Sequence, residues 1–381
     1  MTLSKRQMPL LLCIVVLLLG YATGLQLGRI APYATRLHDA YGFGLPTIGL
    51  LTSLVTLFVA TLAIPASRFI PSFGLVRAIK VGAVIMSLGA VIFAFSESLP
   101  FLIVARVIEA LGHIITVIAA PAYLATKAPE HLRKIFLALW SSFVPVGFAV
   151  SNNLGGALAA VVELRNIWLV YAVVMLAIML LVLCLPREER VSAPSTQSTK
   201  NPAKIVWILV LCFGSYAVLS IGFFTFLPTY VSPLNPQLFS PGVVPLFVPL
   251  GSFLAAFTFA RTKVDFPPKI IGLGFLTIAI AAVFSFQNTG FDTSLARALF
   301  AFANGITAAA IFTSVPVFTR SEEEAAFTIG AIAQAGGLMV LMGAPLAGFI
   351  LEAGSWAMLG YFFALVAMFA FFSVSFPFRK T

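Results

Sequence analysis

Charge is what this sequence has least of. Only 9% of its 381 residues are Asp, Glu, Lys or Arg, where a soluble domain carries about 25%. That shortage excludes a water-soluble globular protein. With 60% hydrophobic residues and a mean hydropathy of +1.05, the chain belongs in a bilayer. Cysteine is nearly missing: Cys13, Cys184 and Cys212 all lie in apolar runs. They show neither metal-ligand spacing nor a disulfide framework, and read as small packing residues. Histidine is as rare, and His38 and His131 fall in connecting segments. No H-E-x-x-H, Walker loop, nucleotide motif or pair of intramembrane aspartates occurs, so neither a cofactor nor the usual bilayer-embedded enzyme chemistry is implied. No polar stretch is long enough for a separate soluble domain.

What is present is a succession of apolar runs. About 20 such residues cross a bilayer, and twelve segments qualify: 8–34, 46–65, 78–96, 101–126, 134–160, 167–185, 204–230, 241–260, 269–287, 293–319, 325–351 and 356–376. They are too long and too uniformly apolar for barrel strands, which predicts an all-α membrane protein with twelve transmembrane helices. The first run continues past Gly24 without an A-x-A site, and reads as a retained span rather than a signal peptide. The net charge of +10 would suggest nucleic acid in a soluble protein. Here 18 of the 23 basic residues fall on alternate connections and the two ends, as in Arg68, Arg77, Lys80, Lys127, Arg187, Arg261 and Arg379. By the positive-inside rule this set and both termini are cytoplasmic, and no nucleic-acid partner is needed.

The segment PREERVSAPSTQSTKNPAK (186–204) separates six spans from six, giving an N-terminal bundle over 1–186, a cytoplasmic linker over 187–203 and a C-terminal bundle over 204–381. The halves resemble each other in order. Arg68 and Arg261 end spans 2 and 8; Lys80 and Lys269 open spans 3 and 9; Ala94-Phe95-Ser96 and Val283-Phe284-Ser285 close them. Val104-Ala105-Arg106 and Leu295-Ala296-Arg297 open spans 4 and 10. Internal repeats of this kind are a hallmark of secondary transporters, which bind solute near the midplane between the repeats.

The run FLIVARVIEALGHI (101–114) resembles the span-4 pattern of the major facilitator superfamily, with Arg106, the polar Glu109 and a late Gly112. The segment IPASRFIPSFGLVRAIK (64–80) stands where that family has a basic, glycine-containing gating loop. It keeps Arg68, Gly74 and Arg77, with Ser67 near the place of the family's aspartate. Span 5, FVPVGFAVSNNLGGAL (143–158), is faintly similar to the glycine-rich pattern of proton-coupled drug antiporters, with Asn152 and Asn153 replacing the Gly-Pro pair. The resemblance covers the whole chain. It implies two pseudo-symmetric six-helix bundles, alternating access, a self-sufficient monomer, and spans 1, 4, 7 and 10 around a central cavity.

Polar residues inside the spans mark the candidate site. Arg106, Glu109 and His113 lie at i, i+3, i+7 on one helix face, as do Gln26, Arg29 and Tyr33. Arg297 and Asn304 lie near one face of span 10, Tyr216 in span 7, Asn152 in span 5 and Gln334 in span 11. A charge at membrane depth costs about 2.5–3.5 kcal/mol on insertion scales, so it normally faces a bundle interior or a wet cavity. For Arg106 and Glu109 the plain alternative is a packing ion pair; for Arg29 and Arg297 it is snorkelling to the interface. Three arginines against one embedded carboxylate favour an anion. The sequence therefore suggests a small organic anion or polar metabolite bound by Gln26, Arg29, Arg106, His113, Asn152, Tyr216, Arg297, Asn304 and Gln334. Proton would be the coupling ion, through Glu109 or His113. Proton-driven efflux of drugs or amphiphiles is the second reading, and a non-transporting receptor or intramembrane enzyme the third. A bacterial inner membrane is the expected location.

Overall fold

The computed structural model describes residues 7–158, 161–186, 204–230, 238–261, 267–287, 293–319 and 322–375. The expected linker, 187–203, lies outside them. Among the described residues there are helices and no strands.

Span 1 is α1 (Gln7–Gly28), a 3-10 turn at Ala31–Tyr33, and α2 (Ala34–Tyr41). Span 2 is α3 (Leu45–Ser53), a 3-10 turn, and α4 (Leu57–Phe73). Spans 3 and 4 are α5 (Leu75–Ala94) and α6 (Leu99–Lys127). Span 5 is α7 (Glu130–Ser141) and α8 (Phe143–Leu158), bent by 54° at Ser142. Pro145 stands in the first turn of α8, where a ring without an N–H removes the hydrogen bond that would carry α7 straight on. Span 6 is α9 (Leu164–Leu183). The second half runs α10 (Lys204–Tyr230), α11 (Phe247–Arg261), α12 (Pro267–Ser285), α13 (Ser294–Phe318), α14 (Glu322–Ala353) and α15 (Trp356–Ser375). Among the described residues, ten spans are long and apolar enough to cross a bilayer, spans 1 and 2 being counted across their 3-10 turns, and the bent pair makes eleven. The shorter α11, with the 3-10 turn Val244–Leu246 before it, takes the twelfth place.

Packing repeats between the halves. Spans 3 and 4 pair as α5 with α6, and their counterparts as α12 with α13. In the same way α5 lies on α9 and α12 on α15, while α1 lies on α8 and α10 on α14. One apolar core belongs wholly to the first half, around Phe93, Trp168 and Met175. The other is built on Phe223, Phe275, Phe300 and Phe363 of the second half, but it also takes in Leu27, Ala31, Val55 and Phe148 of the first. The bundles meet along α14 with α3 and α4, and along α7 with α11.

Small residues allow the closest crossings. Gly20, Gly24 and Gly28 recur every fourth residue on α1, and a β-carbon at Gly24 would overlap the Phe143 carbonyl of α8. This is the small-xxx-small contact of membrane helices, where backbone proximity replaces the hydrophobic effect as the source of adhesion.

Two expectations change. The segment 64–80 is not a loop: α4 continues to Phe73, Gly74 alone makes the turn, and α5 begins at Leu75. Gly74 has φ +97°, a conformation that costs a glycine little and any other residue much. Span 1, expected as one helix over 8–34, breaks after Gly28, because Pro32 cannot donate a backbone hydrogen bond.

Candidate functional site

The stripe on α6 meets the break in span 1. Counting about 1.5 Å per residue from Leu99, Glu109 lies about 15 Å into the helix, near the bilayer centre. Two guanidinium groups clamp it. Arg29 Nη2 stands 3.0 Å from Glu109 Oε1, and Arg106 Nη1 donates to Oε2 at 2.8 Å. All three side chains have no exposed surface. Arg29 also donates to the Gln26 side-chain oxygen, whose amide nitrogen donates to the Tyr171 carbonyl at 3.0 Å.

The local backbone explains the meeting. A helix that ends leaves its last carbonyls without intrahelical partners, and its C-terminus attracts cations. Arg106 Nη1 takes one of these groups, donating to the Gln26 carbonyl at 2.8 Å. On the other side stands α5. Phe93 presents its ring face to both cations, 3.9 Å from Arg29 Cζ and 5.1 Å from Arg106 Cζ. Gly89, one turn before it, leaves room for the carboxylate: a β-carbon there would lie 2.5 Å from Glu109 Cγ. Trp168 of α9 holds the Phe93 ring edge-on at 5.4 Å, and Tyr33 meets Trp168 edge-on at 5.3 Å.

Two cations against one carboxylate leave a formal excess of one positive charge. Arg29 Nε, Arg106 Nε and Arg106 Nη2 are buried without an acceptor. An unmet buried donor costs about 1–3 kcal/mol, more when charged. The cluster's partners all come from spans 1, 3, 4 and 6, so in this conformation it faces the interior of the first bundle. The i, i+3, i+7 spacing put Arg106, Glu109 and His113 on one face, but spacing alone does not say which neighbour that face meets.

His113 is almost fully buried, its ring 6.4 Å from that of Phe143 and its Nδ1 unpartnered. Arg297 does not snorkel. It is fully buried, donating to the Ser285 carbonyl at 3.0 Å and to the Thr293 and Ser294 hydroxyls, with the Tyr230 ring 5.5 Å away. Asn304 accepts from the Ser220 hydroxyl at 2.7 Å, inside the second bundle. Tyr216 is buried there against Phe213. Two predicted residues bridge the bundles: Asn152 donates to the Pro241 carbonyl at 3.0 Å, and Gln334 accepts from the Ile64 amide at 3.1 Å. Ser53 and Thr56 add bonds to the Leu341 and Gly337 carbonyls at 3.0 and 3.1 Å. Of the expected gating residues, Arg68 falls within α4, while Arg77 is exposed on α5 with its guanidinium 5.2 Å from the Phe73 ring centre. The structure thus joins Gln26, Arg29, Arg106 and Glu109 in one cluster and distributes the others. Sequence reasoning missed Phe93, Tyr171 and Gly89, since nothing polar marks the first and last of these. The every-fourth-residue glycines of α1 were a readable signal.

Among known proteins, the myo-inositol transporter 3A of Cryptococcus neoformans is 35% identical over 91 residues, which is 24% of this chain and 15% of that protein. The galactose-proton symporter of Escherichia coli is 24% identical over 144 residues, 38% of this chain and 31% of that one. The matches thus span less than a third of either relative. In fold, the chain is similar to a bacterial homologue of the human lysosomal transporter Spinster, inward-facing and occupied, with a TM-score of 0.76 at 17% identity over 99% of both chains. The human organic anion transporter MFSD10 (TETRAN) gives 0.71 at 15% identity, over 98% of this chain and 100% of that one. The fucose:proton symporter of Escherichia coli gives 0.64 at 16% identity, over 97% and 98%. The Major Facilitator Superfamily profile matches residues 10–289, most of the chain, and this protein belongs to that family.

Proposed function

We propose that this protein is a secondary transporter that moves a small polar solute, an organic anion in the first reading, by exposing the space between its bundles to each side in turn. The bundles would be residues 1–186 and 204–381, joined by the linker 187–203. The protein would act as a monomer in a bacterial inner membrane with both termini in the cytoplasm, in line with the basic connections.

The observation that carries the anion is the Arg29–Glu109–Arg106 cluster, with its surplus cation and three unpartnered N–H donors. A carboxylate is the acceptor such donors bind best. Span 1 gives the cluster a route to the passage. Gln26 and Arg29 belong to the cluster, while Leu27 and Ala31, beside them in sequence, pack into the second bundle's core. A shift of the bundles that turns this broken segment moves both sets together. Proton coupling enters through Glu109: when it takes a proton, Arg29 and Arg106 lose their counter-ion and their donors become free for the solute.

A second reading is an uncharged sugar or polyol, favoured by the two sequence relatives, a myo-inositol transporter and a galactose-proton symporter. Counterflow in proteoliposomes separates the two. Exchange of a small carboxylate, abolished in Arg106→Ala, supports the anion. Exchange of galactose or inositol with no carboxylate flux supports the polyol. Absence of flux for either class overturns both.

A further inference from the structure

We propose that Glu352 is a gating residue: its carboxylate, at the end of span 11, latches the first turn of span 2 and holds the bundles together on the side opposite the end of α9 and the start of α10. Glu352 Oε1 accepts from the Leu45 amide at 2.6 Å across 307 residues of chain. Leu45 opens α3, and that helix has no cap of its own. Its N-cap is Gly44, which has no side chain, and Pro46 has no N–H to offer. The carboxylate of the other bundle supplies the missing acceptor, and its charge faces the positive end of the helix.

Gly44 makes room for this. A β-carbon there would lie 2.7 Å from Glu352 Oε1 and displace it. The Gly44 backbone is extended, at φ −70° and ψ 163°, so any residue fits the conformation and only the latch requires glycine.

The internal repeat places a second latch at the equivalent corner. Span 5 corresponds to span 11, and span 8 to span 2. Asn152 of span 5 donates to the Pro241 carbonyl in the segment that leads into span 8. Both contacts join the two bundles on the same face of the membrane, beside the apolar contact of Phe148 with Phe224, whose rings are 6.2 Å apart. Opening the molecule on that face requires both polar contacts to break. Glu352 is exposed, so breaking its contact returns the carboxylate to water, and the latch biases the equilibrium without locking it.

The test places spin labels at Glu97 and Leu295, exposed positions on that face, one in each bundle. The distance distribution is then read in lipid nanodiscs. An exposed charge at a helix end shifts an equilibrium by about twofold to fivefold. Glu352→Ala and Gly44→Ala should each raise the long-distance population by about fivefold. Glu352→Gln keeps an acceptor without the charge and should give a smaller rise. Unchanged distributions in both alanine variants, in protein that elutes as the parent does, overturn the proposal. So does a rise in Glu352→Gln as large as in Glu352→Ala, because the charge would then contribute nothing. No solute is needed, so the result stands apart from the reading of the substrate.

Discussion

Removing Glu109 should harm this protein far more than removing Arg29, although the two side chains touch. The carboxylate serves two cations, at 3.0 and 2.8 Å, with all three side chains fully buried. Glu109→Gln leaves two guanidinium groups without a counter-ion in a dry interior. Stripping one partner from a buried pair costs about 3–5 kcal/mol, and here the loss is felt twice. Arg29→Met does the opposite: the cluster falls from an excess of one positive charge to the neutral Arg106–Glu109 pair, and a long apolar side chain fills the space against Phe93. Its cost should be about 1–3 kcal/mol, set by the buried Gln26 oxygen that loses its donor, and so below that of Glu109→Gln. Arg106→Met falls between, because it also uncaps the Gln26 carbonyl at the end of α1. The double variant Arg29→Met/Glu109→Gln carries one unpaired cation rather than two, and should be more stable than Glu109→Gln alone. Thermal unfolding of the purified protein in one detergent gives the ranking. Equal losses for Arg29→Met and Glu109→Gln, or a double variant weaker than both, would refute the charge accounting.

Other perturbations have separate outcomes. Gly24→Leu forces α1 away from Phe143 of α8 and should abolish the folded protein in size-exclusion chromatography, while Gly24→Ala, whose β-carbon already meets the Phe143 carbonyl, should lower the yield strongly. Lys80 donates to the Leu183 and Leu185 carbonyls at 2.9 and 2.6 Å, at the last residue of α9 and just beyond it. Lys80→Met should cost about 0.5–1 kcal/mol in thermal unfolding, and Lys80→Arg less. Gln334→Leu removes the bond to the Ile64 amide between the bundles. It should speed alkylation of a cysteine placed at Ser67, with little change in melting temperature.

The fold was legible because bilayer thickness leaves few choices. Apolar run length gave the spans, and the polar 186–204 segment with the matching order of residues on either side gave the two-half pattern. Its errors sit where proline and glycine act. The break after Gly28 and the single-residue turn at Gly74 are backbone events that a hydropathy pattern averages away. The site was legible in part. Arg106 and Glu109 announced a pair, since charged side chains three residues apart on a helix meet without help from the rest of the fold. The third member, Arg29, was visible as a charge but not as a partner, because crossing of spans 1 and 4 depends on packing far along the chain. Phe93 was one of 37 phenylalanines, and nothing in its surroundings set it apart. Asn152 and Gln334 showed as buried amides, a class that serves helix adhesion as often as solute contact, and both bridge the bundles here.

The apolar centre of the C-terminal half is completed by Leu27, Ala31, Val55 and Phe148 from the other half. Cutting the chain within 187–203 therefore does not yield two finished pieces. Co-expressed as separate polypeptides, the N-terminal piece should fold on its own around its private core. The C-terminal piece should stay protease-sensitive until its companion arrives, so any exchange of halves with a relative must carry these four positions along.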